Sequence, residues 1–313
     1  MFPDIRAAAR VGGTSIVLSA PAPALHLRTD QGAVKEWGVS GDGPGEFRDP
    51  VDLFWGTDGG VVLDRNAHRL TAYDAGSRLR WSHFIGGDWA DRIRIVRGDT
   101  LMHLFEPMGV RRAVVRVRGS RRDTLFRYAD GGDLLQFERA GIPALTVRGP
   151  FLPSTRWTDV PGRGIATWVP GDSVVRLRDL NGIEFGRLPI PAVARPVLAA
   201  DREWWFRLTF EQAFLGRTGL FRGHLADARR RVVFPDRFAP VTGLLGGDDG
   251  AVWVRRTSPG AGEEWVAIGL ADSMTRRVVL PPGREALAFT RDLVLTRAID
   301  EDDLPVLEGW RLP

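Results

Sequence analysis

Asp64, Asn66, His68 and Arg69 fall within one short loop-like run, Asp300, Glu301, Asp302 and Asp303 are consecutive, and Arg111, Arg112, Arg116, Arg118, Arg121 and Arg122 crowd a third stretch. The first set mixes carboxylate, amide and imidazole, the groups of an acid–base or metal site. The second offers hard oxygens of the kind Ca2+ prefers, though without EF-hand spacing or its central glycine. Asp300, Asp302 and Asp303 are its candidate ligands, and a solvated hairpin loop is the rival reading. The third could build a positive face for single-stranded RNA if aromatic rings lay among the cations. Arg112, Arg116 and Arg118 are its candidates; the competing reading is a charged strand edge that resists aggregation. Adjacent Trp204 and Trp205 could form a stacking platform or pack an insertion against its neighbour.

Other chemistry lacks support. Cysteine is absent, which removes disulfides, thiolate nucleophiles and Cys-ligated zinc. His26, His68, His83, His103 and His224 are scattered with no HxH or HxxxH spacing. Ser82 and Ser173 lack the context of a nucleophile elbow. The run Gly41 to Gly45 is not followed by Lys-Ser/Thr, so it reads as a turn and not as a phosphate cradle. Against 39 acidic residues stand 43 basic ones, a net charge of +4, which does not mark a polyanion binder, so nucleic acid is not an expected partner. Lys35 is the only lysine; nearly all the positive charge is planar guanidinium, suited to pairing with carboxylates and to stacking. No apolar run approaches the ~18 residues of a membrane-spanning helix. Arg6 and Arg10 ahead of Val11 to Ala24 outline a secretion leader, but Gly12, Gly13, Thr14 and Ser15 interrupt it, and a first strand is the preferred reading.

The elements that must position these residues repeat. From Val51 to Gly86 the chain spells four short apolar runs separated by Asp58-Gly59, a loop, and Asp74-Ala75-Gly76, which is the plan of one four-stranded propeller blade. Val241 to Pro281 repeats it. A turn ahead of a second strand recurs at Gly12-Gly13, Asp58-Gly59, Gly98-Asp99, Gly162, Asp249-Gly250 and Asp292, giving six anchors near the spacing of propeller blades. In Arg112 to Arg118, arginines and Val114 alternate with Ala113, Val115 and Val117, and Arg176 and Arg178 alternate with Val175 and Leu177. This period of two predicts strands whose arginines face solvent. The intervals from Gly98 to Gly162 and from Gly162 to Gly250 are too long for one blade. Within the second, Asp201 to Arg231 shows near-helical apolar spacing after a possible Asp201 cap, predicting a helical insertion. The alternative makes Trp204-Trp205-Phe206 a strand of a seventh blade.

Residues 41 to 76 resemble the NHL repeat through Gly43, Pro44, Gly45, Phe47, Pro50, Asp58, Gly59, Asp64, Asn66, His68 and Arg69 in order. The segments VTGLLGGDDGAVWVRR and LVLTRAIDEDDLPVLEGWRLP resemble the last two blades of a group of uncharacterised bacterial six-bladed propeller proteins in which a helical stretch precedes the penultimate blade. The resemblance implies an all-β, six-bladed β-propeller of four-stranded antiparallel blades over residues 1–313, with an insertion at 201–231. It also implies structural roles for the Asp and Arg of the repeat loop, and an extracytoplasmic tendency. The expected function is that of a monomeric, non-enzymatic binding or scaffold protein recognising a protein, peptide or glycan through loop faces, with no cofactor or with a divalent cation such as Ca2+. The alternatives are a metal-dependent hydrolase or lactonase with a cation in the central channel, and single-stranded RNA binding on a basic face.

Overall fold

A computed structural model describes residues 4–21, 24–87, 89–105, 111–118, 121–129, 134–151, 153–190, 195–211, 219, 221–256, 262–269, 276–302 and 304–313. Blade 1 comprises β1 (Ile5–Val11), β2 (Thr14–Ser19), β3 (Leu25–Thr29) and β4 (Val34–Trp37); blade 2 comprises β5 (Pro50–Gly56), β6 (Gly59–Asp64), β7 (Arg69–Asp74) and β8 (Leu79–Phe84). Blade 3 holds β9 (Trp89–Val96), β10 (Asp99–Phe105), β11 (Arg111–Arg118) and β12 (Arg121–Ala129). After a hairpin of β13 (Leu134–Arg139) and β14 (Ile142–Arg148), blade 4 is built of β15 (Arg156–Val160), β16 (Gly164–Trp168), β17 (Val174–Arg178) and β18 (Glu184–Pro189). Blade 5 follows with β19 (Gly243–Gly246), β20 (Val252–Arg255), β21 (Glu264–Ile268) and β22 (Arg277–Val279). Blade 6 has three described strands, β23 (Glu285–Phe289), β24 (Leu293–Ile299) and β25 (Pro305–Arg311).

Within each blade the strands pair antiparallel in chain order, and each first strand touches the first strands of both neighbouring blades. The six first strands therefore ring a common axis, and later strands lie outward. All six turn anchors open a second strand, because hairpin turn chemistry is local. Gly59 shows the need: its φ is +118°, and a Cβ there would lie 2.1 Å from the Tyr73 carbonyl oxygen. The ring closes by abutment of β1 on β23, with the Arg297 guanidinium donating to the Ile5 carbonyl at 2.7 Å.

The repeat loop of blade 2 is held by Asp64, which is fully buried. Its carboxylate accepts backbone N–H groups of Arg48 at 2.6 Å, Asp49 at 3.1 Å and Ala67 at 2.9 Å. Arg69 donates to the Gly43 carbonyl at 2.7 Å, tying the loop to the glycine-rich lead. His68 packs edge-on to Phe84 and Trp89. The cluster that could have been an acid–base site thus satisfies buried backbone donors.

Both over-long intervals converge on one lobe. The hairpin β13–β14 packs on α1 (Ala199–Phe206), a π-helical turn at Arg207–Glu211, a short turn at Arg222–His224 and α2 (Leu225–Arg231). Phe137 from the hairpin is buried with Trp205, Phe206, Phe210 and Phe221. His224 Nε2 donates to the Pro143 carbonyl at 2.8 Å. Trp204, Trp205 and Phe206 are helical, which settles six blades over seven. Asp201 is not the cap but the third helical residue, where its carboxylate accepts the Leu198 N–H at 2.8 Å and pairs with Arg195 at 2.8 Å.

One expectation needs correction. Along β11 Arg118 is exposed as the alternation predicts, but Arg112 and Arg116 are half-buried, because neighbouring blades cover both faces of the middle of the strand. Ala113, Val115 and Val117 pack toward blade 2, while Val114 packs on Trp157, Ile165 and Leu180 of blade 4. Arg116, on the Val114 face, donates to the Leu180 carbonyl at 3.1 Å and pairs with Asp123 at 3.3 Å. Other blade junctions are aromatic: Trp253 and Phe289 stack at 4.1 Å and 9° between blades 5 and 6, worth about 0.5–1.5 kcal/mol beyond the area they bury.

Candidate functional site

The axis opens at both ends. At the exit mouth, where the first strands end, all six blades line a cavity of about 500 Å³. Its walls are largely small and apolar, including Ala7, Ala9, Leu53 and Phe289, with Asp248 at the rim. Its inner end carries an ion triad across three blades: Arg94 donates to Asp52 at 2.8 Å and its Nε lies 3.3 Å from Asp159. Asp52 also accepts the Ile93 N–H at 2.7 Å. Burial opposes charge on Arg94, but the two carboxylates outweigh it and raise the guanidinium above its ordinary value. A guanidinium therefore occupies the place between acidic groups that an axial cation would need.

At the entry mouth, where the first strands begin, a smaller cavity of about 280 Å³ is lined by blades 3 to 6. It is the polar one, and its chemistry comes from three strands of blade 3. His103 on β10 pairs across the ladder with Arg92 on β9, and the next pair is Leu104 with Ala90, so Asp91 is the extra residue of a β-bulge. A bulge redirects a side chain that strict alternation would send to the other face. Asp91 is thereby brought to His103, its Oδ1 2.5 Å from Nδ1. The Tyr128 hydroxyl on β12 lies 2.6 Å from Nε2. An ionised carboxylate only accepts, so Nδ1 carries the proton, and in the neutral ring Nε2 accepts from the Tyr128 O–H. Burial pushes the Asp91 carboxyl up, but the hydrogen bond from His103, with the charges of Arg92 and Arg112, holds it below the ordinary value. The His103 side chain is only 12% exposed, which fixes the ring in this chain of bonds.

Three arginines, Arg92, Arg156 and Arg255, complete the mouth. Arg92 donates to the Trp157 carbonyl at 3.1 Å, and its guanidinium sits 5.9 Å from the Trp157 ring. Burial and the adjacent Arg94 charge lower Arg92 below its ordinary value against the pull of Asp52, Asp91 and Tyr128. Arg255 is held rigidly: it donates to Glu263 at 2.6 Å and to the Thr242 carbonyl at 3.1 Å. Glu263, fully buried, also accepts from Trp265 Nε1 at 2.7 Å and from the Ala286 N–H at 2.8 Å, locking blades 5 and 6 together.

No protein-family model and no curated protein sequence matches the chain. Solved structures do. A presumed exported protein of Bacteroides fragilis is 11% identical, with 96% of this chain and 80% of that one covered at a TM-score of 0.51. The calcium-binding protein regucalcin of Agrobacterium tumefaciens is 10% identical, with 99% and 91% covered at 0.50. A member of the DUF4221 family from Bacteroides vulgatus is 8% identical, with 99% and 93% covered at 0.50. The likeness is one of fold. The six-bladed ring inferred from the turn anchors is thus shared, while the NHL assignment rests on residues 41 to 76.

The sequence candidates are dispersed over this frame. Arg112 lies beside the entry mouth, its guanidinium 4.9 Å from the Phe105 ring, whereas Arg116 is paired with Asp123 and Arg118 forms a double hydrogen bond to Asp99 at 2.6 and 2.7 Å. Aspartates therefore answer Arg116 and Arg118. Asp300 accepts the N–H groups of Asp302 at 3.0 Å and Leu304 at 2.8 Å, shaping the hairpin between β24 and β25; Asp303 lies outside the described residues. Among the described residues no three His, Cys, Asp or Glu side chains converge as a metal site. Trp204 and Trp205 line a third, apolar cavity of about 190 Å³ between the lobe and the ring. Phe151 stacks near Trp204 at 6.4 Å and packs on Phe238 at 4.6 Å. Its φ of +55° is a left-handed conformation that costs an aromatic residue about 1–3 kcal/mol. Asp91, His103 and Tyr128 escaped the sequence reading because no spacing unites them. The available signal was the charged run Asp91, Arg92 and Arg94 inside an otherwise apolar first strand.

Proposed function

We propose that the protein is a recognition propeller whose entry mouth seats the carboxylate or similar anionic group of a small organic ligand, a peptide or an acidic glycan. The observation that carries this reading is Arg92: its guanidinium lines a polar cavity, and among the described residues no carboxylate lies within ion-pairing distance of it. Arg255, fixed by Glu263, and the Tyr128–His103 pair supply further hydrogen-bonding groups to the same mouth. Such preorganised donors bind an anion without the cost of first ordering them. An extracytoplasmic address, implied by the resemblance to bacterial six-bladed propeller proteins, accompanies this proposal. The test is calorimetric titration with acetate, hexuronate and a short peptide carboxylate, on the wild-type chain and on Arg92→Met. Binding that Arg92→Met abolishes supports the reading; binding that the variant retains overturns it.

Acid–base catalysis is a second reading, favoured by the Asp91–His103–Tyr128 chain, since an oriented imidazole beside a cavity can move a proton to or from a bound molecule. The metal-dependent version does not fit the residues present. Asp52 and Asp159 share Arg94, and Glu285 pairs with Arg297, which leaves one carboxylate at each mouth without a guanidinium partner among the described residues, Asp248 at one and Asp91, bonded to His103, at the other.

A further inference from the structure

Resting on the anion-binding reading, we propose that the natural ligand is an amphiphile, an organic anion with an apolar tail of acyl or aryl type, whose head occupies the entry mouth and whose tail lies under the inserted lobe. The polar cavity and the apolar cavity adjoin. Arg156, Thr242 and Arg255 line both, so the two meet along one seam at the start of blades 4 and 5. On one side of the seam stand Arg92, His103 and Tyr128; on the other stand Trp204, Leu208 and Phe238.

The tail side is built from the elements that interrupt the blade repeat. A bare propeller would leave the entry mouth open on blades 4 and 5. Here α1 brings Trp204, and the π-helical turn after it Leu208, to the apolar cavity beside it, and Phe151, in its left-handed conformation, backs Trp204. Leu208 is 46% exposed, an apolar side chain left at the cavity edge although Phe206 and Phe210, its neighbours in the lobe, are buried. A charged head could not enter this apolar side without losing its hydration, and an apolar tail gains little among Arg92, His103 and Tyr128. The gradient therefore orients the ligand, head toward the axis. Arg255 marks the boundary: its head is tied to Glu263 and to the Thr242 carbonyl while its guanidinium lies 5.6 Å from the Trp265 ring.

The probes are acetate and decanoate, titrated calorimetrically into the intact chain at neutral pH. Each methylene buried beneath the lobe tightens binding roughly fourfold, so decanoate should bind at least about 100-fold more tightly than acetate. Leu208→Glu places a carboxylate at the exposed edge of the tail side, where folding tolerates it. It should weaken decanoate by about tenfold or more and leave acetate unchanged, and Trp204→Ala should do the same. Equal affinities for the two probes, or decanoate binding indifferent to both substitutions, would overturn the amphiphile while leaving the anion site standing. If neither probe binds, the anion site and the amphiphile fall together.

Discussion

Arg94 on the first strand of blade 3 reaches Asp159 on the first strand of blade 4 at 3.3 Å while donating to Asp52 of blade 2 at 2.8 Å, so one guanidinium joins three consecutive blades beside the axis. All three side chains are largely withdrawn from water. Removing the cation from such a triad strands two largely buried carboxylates, leaving the Ile93 N–H on Asp52 and the Thr158 hydroxyl on Asp159 as their remaining partners. Arg94→Met should therefore destabilise the fold by about 3–5 kcal/mol in urea titration. Combining it with Asp52→Asn and Asp159→Asn should recover part of the loss. A single variant as stable as the wild type would show that the triad contributes nothing to the ring.

Asp64 tests the loop reading taken from the repeat motif. Three backbone N–H groups converge on a carboxylate that touches no water. Asp64→Ala leaves them unsatisfied, at about 1–3 kcal/mol for each donor that water does not reach. The variant should lower the midpoint of thermal unfolding by several degrees or more, and ligand binding at the entry mouth, one blade away, should persist in the folded fraction. An unchanged midpoint would mean that the loop tolerates another solution.

The contrast between Asp64 and His103 explains which features could be read in advance. The six turn anchors act within a few residues of their partners, while Asp64 and Arg69, whose partners Arg48, Asp49 and Gly43 lie 15 to 26 residues away, stand in a repeat motif that marks them in the chain. His103 depends on strand register, on the bulge at Asp91, and on Tyr128 two strands away. Nothing in the linear spacing encodes that meeting. Arg112 and Arg116 illustrate a different limit. Alternation reveals that a strand has two unlike faces, but in a ring of blades the second face meets another blade instead of water, and only the closed architecture decides this. The lobe combines both cases: the helix at Trp204 to Phe206 follows from its periodicity, whereas its partner hairpin β13–β14 carries no repeat signature and is recognised through Phe137 in their common core.

Tyr128→Phe isolates one bond at the entry mouth. The ring still packs on Phe126 and His103, and only the hydroxyl that reaches Nε2 at 2.6 Å is lost. Stability should change by about 1 kcal/mol or less. Affinity for an anionic probe should fall several-fold, because the imidazole loses a group that fixes its orientation. A variant with unaltered affinity would remove Tyr128 from the site and leave Arg92 as its principal determinant.

Asp248 gives a pH dependence at the opposite mouth. Partial burial at the rim raises its carboxyl above the ordinary value, the charges of Asp249 and Asp292 add to this, and hydrogen bonds from the Arg291 and Asp249 backbone oppose it. The folded chain therefore holds the proton more tightly than the unfolded chain. By linkage, the fold carries no penalty below the ordinary carboxylate value of about 4, loses stability as pH rises from there through the raised folded value, and bears a constant penalty above it. Asp248→Asn cannot ionise and escapes this penalty. The variant should be more stable than the wild type at neutral pH, by a fraction of about 1 kcal/mol because the side chain is exposed at the rim. Thermal unfolding measured from neutral pH down toward about pH 4 should show the two proteins converging. A gap that widens on acidification would reverse the sign of the effect and place the stabilising form of Asp248 in its ionised state.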